Sequence, residues 1–234
     1  REKEKYLKRI LSAEDIWCQG FSEPDHGSDL GNAQTRAVRD GDEYVLNGQK
    51  IWTTMGNFAH YMILLARTNP NTERKYDGLS YFLSPMDVPG IETRPIRKIT
   101  GEYGFTETFF TDARIPAECL MGEEGQGWKI AMQTLQYERG AEAGNAGGLA
   151  MVRVTIDDMI AQLHDVSRDG EPVLEDPVIR DQLVQLIMEE KAISLGDRRA
   201  HINPLTSDYP GSLLLSHKLR ATEATRRMRQ FAIN

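Results

Sequence analysis

The feature that most constrains the fold is a change of hydrophobic pattern near the middle of the chain. Residues 17–120 read as short strands and turns, rich in β-branched and aromatic residues. From Gly127 onward, apolar residues recur at helical spacing in three successive segments, over about 128–166, about 178–200 and from 213 onward. Strands grouped in one half and helices in the other predict an α+β fold.

The strand half contains two turn dipeptides close together, Asp40-Gly41 and Asn47-Gly48. Both pairs favour the positive φ angles of a tight type I′ turn, so they predict two successive hairpins. The run YMILLART (61–68) is continuously apolar and predicts a buried strand, with further strands over 79–85 and 106–116. We therefore expect a mostly antiparallel domain, built as a barrel-like sheet or a sandwich.

The helical half predicts an up-down bundle, because amphipathic helices bury their apolar stripes against one another. A loop rich in Pro, Asp and Gly (168–177) separates the first helix from the second. The third helix is still running at Asn234, so we expect an incomplete four-helix bundle and a chain that is a fragment. Residues 1–11 also have a helical pattern, as the end of a preceding helical region.

Composition excludes several classes of partner. The chain has 234 residues and a net charge of -7, which makes nucleic acid an unfavourable partner. No apolar run approaches the roughly 20 residues that span a bilayer, and no signal peptide opens the chain. Cys18 and Cys119 are far apart without a CxxC motif, so we expect no metal site and reduced thiols in a cytosol-like compartment.

Two polar segments could bind a ligand. WCQGFSEPDHGSD (17–29) offers Ser22, Ser28 and backbone N–H groups, although Asx and Ser turns around Pro24 would explain the same residues. KIWTTMGN (50–57) ends a strand with Trp52 and two hydroxyls. That ring could lie against a planar cofactor, but a single strand tryptophan is also common in protein cores.

A third unusual segment follows LQYERG (135–140), where Glu138 precedes four glycines within a helical pattern. Each glycine costs a helix about 1 kcal/mol relative to alanine. Either Glu138 is an ordinary solvated charge, or the bare backbone lets a ligand approach closely.

Together these segments resemble the acyl-CoA dehydrogenase family. FSEPDHGSD, GDEYVLNGQKIWTT, DARIP and GQGWKIAMQTLQYERG occur in the order and spacing that the family has. The resemblance implies three parts: residues 1–11 end an N-terminal helical domain, residues 12–122 form the middle β-domain, and residues 123–234 begin the C-terminal helical domain.

The resemblance also implies FAD as cofactor and acyl-CoA as substrate. It assigns flavin contacts to Gln19, Phe21, Ser22, Trp52, Thr53 and Thr54. Ser28 matches a position that contacts the acyl-CoA, and His26 replaces a small residue and has no assigned role. In one branch of the family, which includes enzymes similar to isovaleryl-CoA dehydrogenase, a Glu before Arg on the first C-terminal helix takes the α-proton. YERG matches that pattern, with Glu138 as the base.

Two departures from the family pattern bear on substrate and assembly. Thr106 stands where an arginine often helps to bind CoA, and SRDGEPVLEDP (167–177) replaces an Arg-x-x-Phe-Gly element that reaches a neighbouring subunit. Both are similar to bacterial members that act on bulky or steroid-like acyl chains.

The sequence therefore predicts an acyl-CoA dehydrogenase that passes electrons to an electron-transferring flavoprotein. It would be cytoplasmic in a bacterium, or in the mitochondrial matrix in a eukaryote. It would assemble as a homodimer, a homotetramer or a hetero-oligomer. An acyl-CoA oxidase and a non-catalytic partner subunit remain the alternatives.

Overall fold

A computed structural model of the protein describes residues 2–138, 155–200, 202 and 210–233. The chain divides into two compact units, Arg1–Thr134 and Leu135–Asn234. The first unit is rich in strands and the second is helical, which confirms the predicted α+β class. None of the helices in the described ranges is long and apolar enough to cross a membrane.

The first unit contains one eight-stranded sheet and helix α1 (Glu2–Leu11). Its strands are β1 (Trp17–Gly20), β2 (Arg36–Asp40), β3 (Glu43–Thr54), β4 (Tyr61–Arg67), β5 (Leu79–Pro85), β6 (Ile91–Arg97), β7 (Tyr103–Pro116) and β8 (Leu120–Met121). They lie in the order β6-β7-β3-β2-β4-β5-β8, with β1 beside β4. Within residues 2–138 the sheet stays open, since β6 and β8 form its two edges.

Strand β4 is the buried strand that the apolar run predicted. It pairs antiparallel with β5 along one edge, while β1 and β2 share its other edge in parallel orientation. Met62, Leu64 and Ala66 are fully buried in the main apolar cluster, together with Tyr44 and Phe82, whose rings meet edge to face at 4.9 Å. The core of this unit therefore lies along β3, β4 and β5.

Both cysteines carry free thiols in this same cluster. Burial raises the pKa of Cys18 to about 12. Since the thiolate is the reactive form of cysteine, a thiol with this pKa stays protonated and unreactive at neutral pH.

One of the two predicted hairpins is present. β2 and β3 pair antiparallel from Asp40 opposite Glu43, with Gly41 at the turn. The hairpin predicted at Asn47-Gly48 is wrong, because β3 continues through it to Thr54. The β3–β7 pair has a β-bulge there instead, because two residues of β7 lie opposite Asn47. Gly48 has a φ of +146° at this point.

Helix α2 (Gly127–Glu138) crosses the boundary between the units along the chain. After it, the described part of the second unit contains three helices. They are α3 (Ile156–Leu163), α4 (Pro177–Ala200) and α5 (Pro210–Ile233). One apolar cluster joins all three: Ile156 and Met159 of α3, Leu183 of α4, and Met228 and Phe231 of α5. The described helices therefore pack as the predicted bundle requires.

The prediction of one continuous helix over 128–166 is wrong at Thr155. That residue has extended backbone and caps α3: its hydroxyl accepts a hydrogen bond from the Asp158 N–H at 3.1 Å. The Asp158 carboxylate accepts the Thr155 N–H at 2.8 Å in return. This capping box begins a new helix, although the apolar spacing continues across it.

The predicted loop at 168–177 contains a small hairpin that the sequence analysis missed. Strands β9 (Ser167–Arg168) and β10 (Glu171–Pro172) pair antiparallel around Asp169 and Gly170. These two turn residues have φ angles of +54° and +86°, as a type I′ turn needs. The Asp-Gly dipeptide was the available signal.

Candidate functional site

Strand β3 carries a second bulge, which exposes Trp52. Lys50 pairs with Thr108 and Thr53 pairs with Thr106, so Ile51 and Trp52 together lie opposite a single residue of β7. Trp52 has a φ of +62° and is 58% exposed. Bulges of this kind re-aim a side chain, and here the bulge turns a large aromatic ring out of the sheet.

The backbone of Trp52 is strained. Positive φ is a genuine outlier for a bulky residue, and such conformations typically cost about 1–3 kcal/mol. Met55, three residues later, also has a positive φ of +58°. The only ring contact of Trp52 among the described residues is the edge of Phe105, with centroids 6.2 Å apart. Its own packing therefore offers little compensation for this strain.

The two threonines after Trp52 differ in environment. Thr54 is exposed, whereas Thr53 is fully buried and its hydroxyl has no hydrogen-bond partner among the described residues. The Thr106 hydroxyl donates to the Thr53 carbonyl at 3.2 Å. Of the two predicted flavin contacts, only Thr54 presents its side chain at the surface. Both flavin contacts stay predictions, and for Thr53 the contact would have to be made by the backbone.

The other three residues with predicted flavin contacts, Gln19, Phe21 and Ser22, lie in and after β1. Gln19 and Ser22 are half-buried, and the Ser22 carbonyl accepts the Ile51 N–H at 2.9 Å. Phe21 is 4% exposed and packs its ring edge to face on Tyr81, so its side chain belongs to the core. The structure thus brings Ser22 beside the Trp52 bulge and turns the Phe21 ring inward.

A buried ion pair joins these two segments. The Lys50 ammonium donates to the Glu23 carboxylate at 2.8 Å and to the Phe21 carbonyl at 3.0 Å. Glu23 also accepts the backbone N–H groups of Gln34 at 2.6 Å and Thr35 at 2.8 Å. Neither charged residue was singled out in the sequence, because the partners belong to different motifs. A lysine within an otherwise apolar-patterned strand was the available signal.

Burial and pairing act in opposite directions on each of the two groups. Burial disfavours the Glu23 carboxylate, but the charge of Lys50 and the hydrogen bonds from Lys50 and two backbone amides outweigh it. The pKa of Glu23 therefore lies below its ordinary value. Burial lowers the pKa of Lys50, and the negative charge of Glu23 opposes that effect.

Ser28 and His26 lie further along the same loop. Ser28 is exposed, next to Asp29, whose carboxylate accepts a hydrogen bond from Lys75 at 2.6 Å. The backbones of His26 and Glu23 exchange hydrogen bonds in a tight turn. His26 is therefore a turn residue, and Ser28 is free of the core and accessible to a ligand.

Glu138 is the last described residue of α2 and its side chain is exposed. The residues that follow it in the glycine-rich segment, from Arg139 to Gly148, lie outside the described residues. Earlier on the same helix, the Thr134 hydroxyl lies 3.1 Å from the Tyr81 hydroxyl. This contact holds the first part of α2 on strand β5.

Comparison with known proteins matches the two parts of the chain to two domains of one family. A family model described as "Acyl-CoA dehydrogenase, middle domain" matches residues 18–113. One described as "Acyl-CoA dehydrogenase, C-terminal domain" matches residues 125–234. Acyl-CoA dehydrogenase IpdE1 of Mycobacterium tuberculosis is 39% identical over 190 residues, which cover 79% of this chain and 46% of that protein.

Two solved structures extend the likeness to the fold. The Tcur3481-Tcur3483 steroid ACAD has a TM-score of 0.81 at 32% identity, over 98% of this chain and 57% of that one. The ChsE4-ChsE5 complex from Mycobacterium tuberculosis has a TM-score of 0.78 at 27% identity, over 99% of this chain and 60% of that one.

The chain spans about half the length of the curated relatives it matches. Both family models nevertheless describe domains of the same family, and together they account for most of the sequence. The chain therefore belongs to the acyl-CoA dehydrogenase family.

Proposed function

We propose that the chain belongs to an FAD-dependent enzyme that introduces a double bond between the α and β carbons of an acyl-CoA thioester. The observation that carries this proposal is the bulge at Trp52. A strained, exposed indole with an exposed hydroxyl two residues later suits a planar, heteroatom-bearing ring. FAD, when bound, supplies the acceptor for the hydride that leaves the β-carbon.

The position of each residue determines which contact it would make with the flavin or with the acyl-CoA. Trp52 would lie against the flavin ring, Thr54 would donate its hydroxyl, and Ser22 and Gln19 would face the ring from the β1 side. Phe21 and Thr53 would act through their backbones, because both side chains are buried. Ser28 would contact the acyl-CoA from the exposed part of its loop.

Glu138 is the proposed base, which takes the α-proton onto a carboxylate oxygen. A positioned general base typically contributes 10²–10⁴-fold to the rate. Because an α-C–H is weakly acidic, that carboxylate must be held against the substrate in a water-poor site in the working enzyme.

The names of relatives suggest the substrate class and the assembly. The steroid ACAD and the ChsE4-ChsE5 complex support a bulky acyl group and a hetero-oligomer of two related chains as proposals. An electron-transferring flavoprotein is the proposed electron acceptor, and the cytoplasm is the proposed compartment.

A non-catalytic partner subunit is the second candidate, and Thr106 is the observation that favours it. This residue is completely buried and its hydroxyl donates to the Thr53 carbonyl. Its side chain is therefore not available to bind CoA. Such a subunit would keep the fold while a partner chain performs the chemistry.

The decisive test is Glu138→Gln in the FAD-loaded protein, followed by anaerobic stopped-flow bleaching of the flavin band with a panel of acyl-CoA thioesters. Gln keeps the shape but cannot accept the α-proton, so we expect bleaching to slow by about 10²–10⁴-fold. The free energy of unfolding should change by no more than about 0.5 kcal/mol.

Glu73→Gln serves as the control, because Glu73 is an exposed carboxylate of the other unit. It should bleach like wild type. If Glu138→Gln bleaches within tenfold of wild type, Glu138 is not the base. If wild type itself carries FAD but no thioester bleaches it, the partner-subunit proposal gains.

A further inference from the structure

We propose that the buried Lys50–Glu23 pair is a positioning device that locks the β1–β2 loop (residues 21–35) to the bulge carrying Trp52. Its role toward a cofactor rests on the proposed function, but its effect on Trp52 does not. The pair would fix the distance between Ser22 and the indole, and so preorganise both sides of the proposed flavin site.

The loop and the strand are joined at three points. Lys50 is two residues before Trp52 on β3, and its ammonium reaches two points of the loop, the Phe21 carbonyl and the Glu23 carboxylate. The Ile51 N–H adds a third link, to the Ser22 carbonyl at 2.9 Å. Three consecutive loop residues are thus bonded to the two consecutive strand residues directly before Trp52.

Glu23 organises the far end of the loop as well. Its carboxylate accepts the N–H groups of Gln34 and Thr35, just before β2 begins. Arg67 on β4 donates to the carbonyls of Gly31 at 3.0 Å and Ala33 at 2.9 Å. The loop is therefore closed on itself by Glu23 and attached to β4 by Arg67.

Burial makes the pair a poor source of stability. Lys50 is 0% exposed and Glu23 is 6% exposed, and taking two charges out of water often costs as much as their attraction returns. Apolar replacements of such pairs are often neutral or stabilising. A buried pair is therefore weak support for stability, whereas its directional hydrogen bonds specify one geometry.

The strained backbone of Trp52 lies next to this pair. Trp52 holds a φ of +62° with little packing of its own, so neighbouring contacts must determine its conformation. The Thr106–Thr53 hydrogen bond fixes the chain after the bulge, and the Lys50–Glu23 pair fixes it before. Loss of either anchor would let Trp52 relax toward ordinary backbone angles.

The experiment separates positioning from stability with three variants. Lys50→Met leaves Glu23 buried without its cation and should lower Tm. Glu23→Gln combined with Lys50→Met removes both charges and keeps an acceptor oxygen for one of the two loop amides, so its Tm should recover part of that loss. Arg114→Met is the matched control, since Arg114 forms exposed ion pairs with Asp40 and Glu43 in the same sheet.

Trp52 mobility is the first readout, measured without FAD. Each variant is made with Trp17→Phe and Trp128→Phe, so that time-resolved fluorescence anisotropy reports Trp52 alone. We expect the rapid, local component of the decay to grow at least twofold in the charge-free double variant, despite its partly recovered Tm. Arg114→Met should leave this component unchanged.

FAD affinity, measured by titration, is the second readout. We expect the Kd to rise at least tenfold in the double variant and to stay within twofold in Arg114→Met. If the double variant keeps both its Trp52 anisotropy and its FAD Kd within twofold of wild type, the positioning role is refuted. If wild type binds no FAD while Trp52 still loosens, the positioning role stands and the proposed function fails.

Discussion

The two bulges of the β3–β7 pair differ in their hydrogen bonds and in the residue types that adopt their unusual backbone angles. At the first, two residues of β7 lie opposite Asn47, and the side chains of Asn47 and Asp112 share a 3.0 Å hydrogen bond. The Asp112 N–H also donates to the Asn47 side-chain oxygen at 3.0 Å. Its unusual angles fall on Gly48 and Asp112, residue types that tolerate them.

The second bulge is built from unsuitable residues. The left-handed angle falls on Trp52, and the next residue, Thr53, buries a hydroxyl without a partner among the described residues. Strained backbone and unpaired buried groups cluster at functional sites, where the surrounding structure maintains them. The contrast teaches that the first bulge shapes the sheet, while the second presents a large side chain at the surface, where the proposed flavin contact needs it.

Among the substitutions at the two bulges, Gly48→Ala should lower the free energy of unfolding most. A Cβ on Gly48 would lie 2.7 Å from the Thr35 Cα, at a φ of +146°. Because both clash and strain oppose it, we expect a loss of at least about 3 kcal/mol in the free energy of unfolding. Chemical denaturation measures the loss, and FAD bound per folded molecule should not change.

Gly101→Ala is the control for that substitution. Gly101 has a φ of +88°, but nothing lies within 4 Å of the point that a Cβ would occupy, so only the strain remains. We expect a loss of about 1 kcal/mol. Equal losses at both positions would mean that close packing on Thr35 does not matter to the first bulge.

Trp52→Gly and Trp52→Ala should separate strain from binding at the second bulge. Glycine adopts positive φ freely, whereas alanine keeps the strain, so Trp52→Gly should be the more stable by up to about 1 kcal/mol. Both should weaken FAD binding at least about tenfold, which corresponds to about 1.4 kcal/mol.

Thermal unfolding and FAD titration of the two Trp52 variants measure these quantities. A large loss of stability in both variants, with unchanged FAD bound per folded molecule, would return Trp52 to the role of a core residue. Its 58% exposure argues against that outcome.

Sequence patterns predicted the elements of this fold better than the features that make the site. The period of apolar residues located β4, β5, α4 and α5, because burial imposes that period directly. It could not locate the Trp52 bulge, since a tryptophan at positive φ contradicts local preference and is held there by contacts with distant residues. The Asn47-Gly48 signal failed for a related reason: the same φ preference serves a turn or a bulge.

The family resemblance supplied residues but not their orientations. It named Thr53 and Thr54 alike, although one is buried and the other exposed. It did not bring forward the Lys50–Glu23 pair, because a contact between two motifs is created by folding. Which side of the sheet a residue faces beside a bulge depends on register, and register is fixed by the partner strand.

Thr53→Val and Thr54→Val should have the smallest effects on stability and FAD affinity. Together they show which of the two hydroxyls contacts the flavin. Valine matches threonine in shape, so Thr53→Val removes a buried hydroxyl without a partner among the described residues and should stabilise the fold by about 1 kcal/mol. The FAD Kd should stay within twofold.

Thr54→Val removes an exposed hydroxyl, so stability should change by less than about 0.5 kcal/mol. If that hydroxyl donates to the flavin, the Kd should rise about 2- to 12-fold, the equivalent of one ordinary hydrogen bond. The reverse pattern, with affinity lost in Thr53→Val, would mean that the bulge opens when FAD binds. The Thr53 hydroxyl, buried in the free protein, would then contact the flavin.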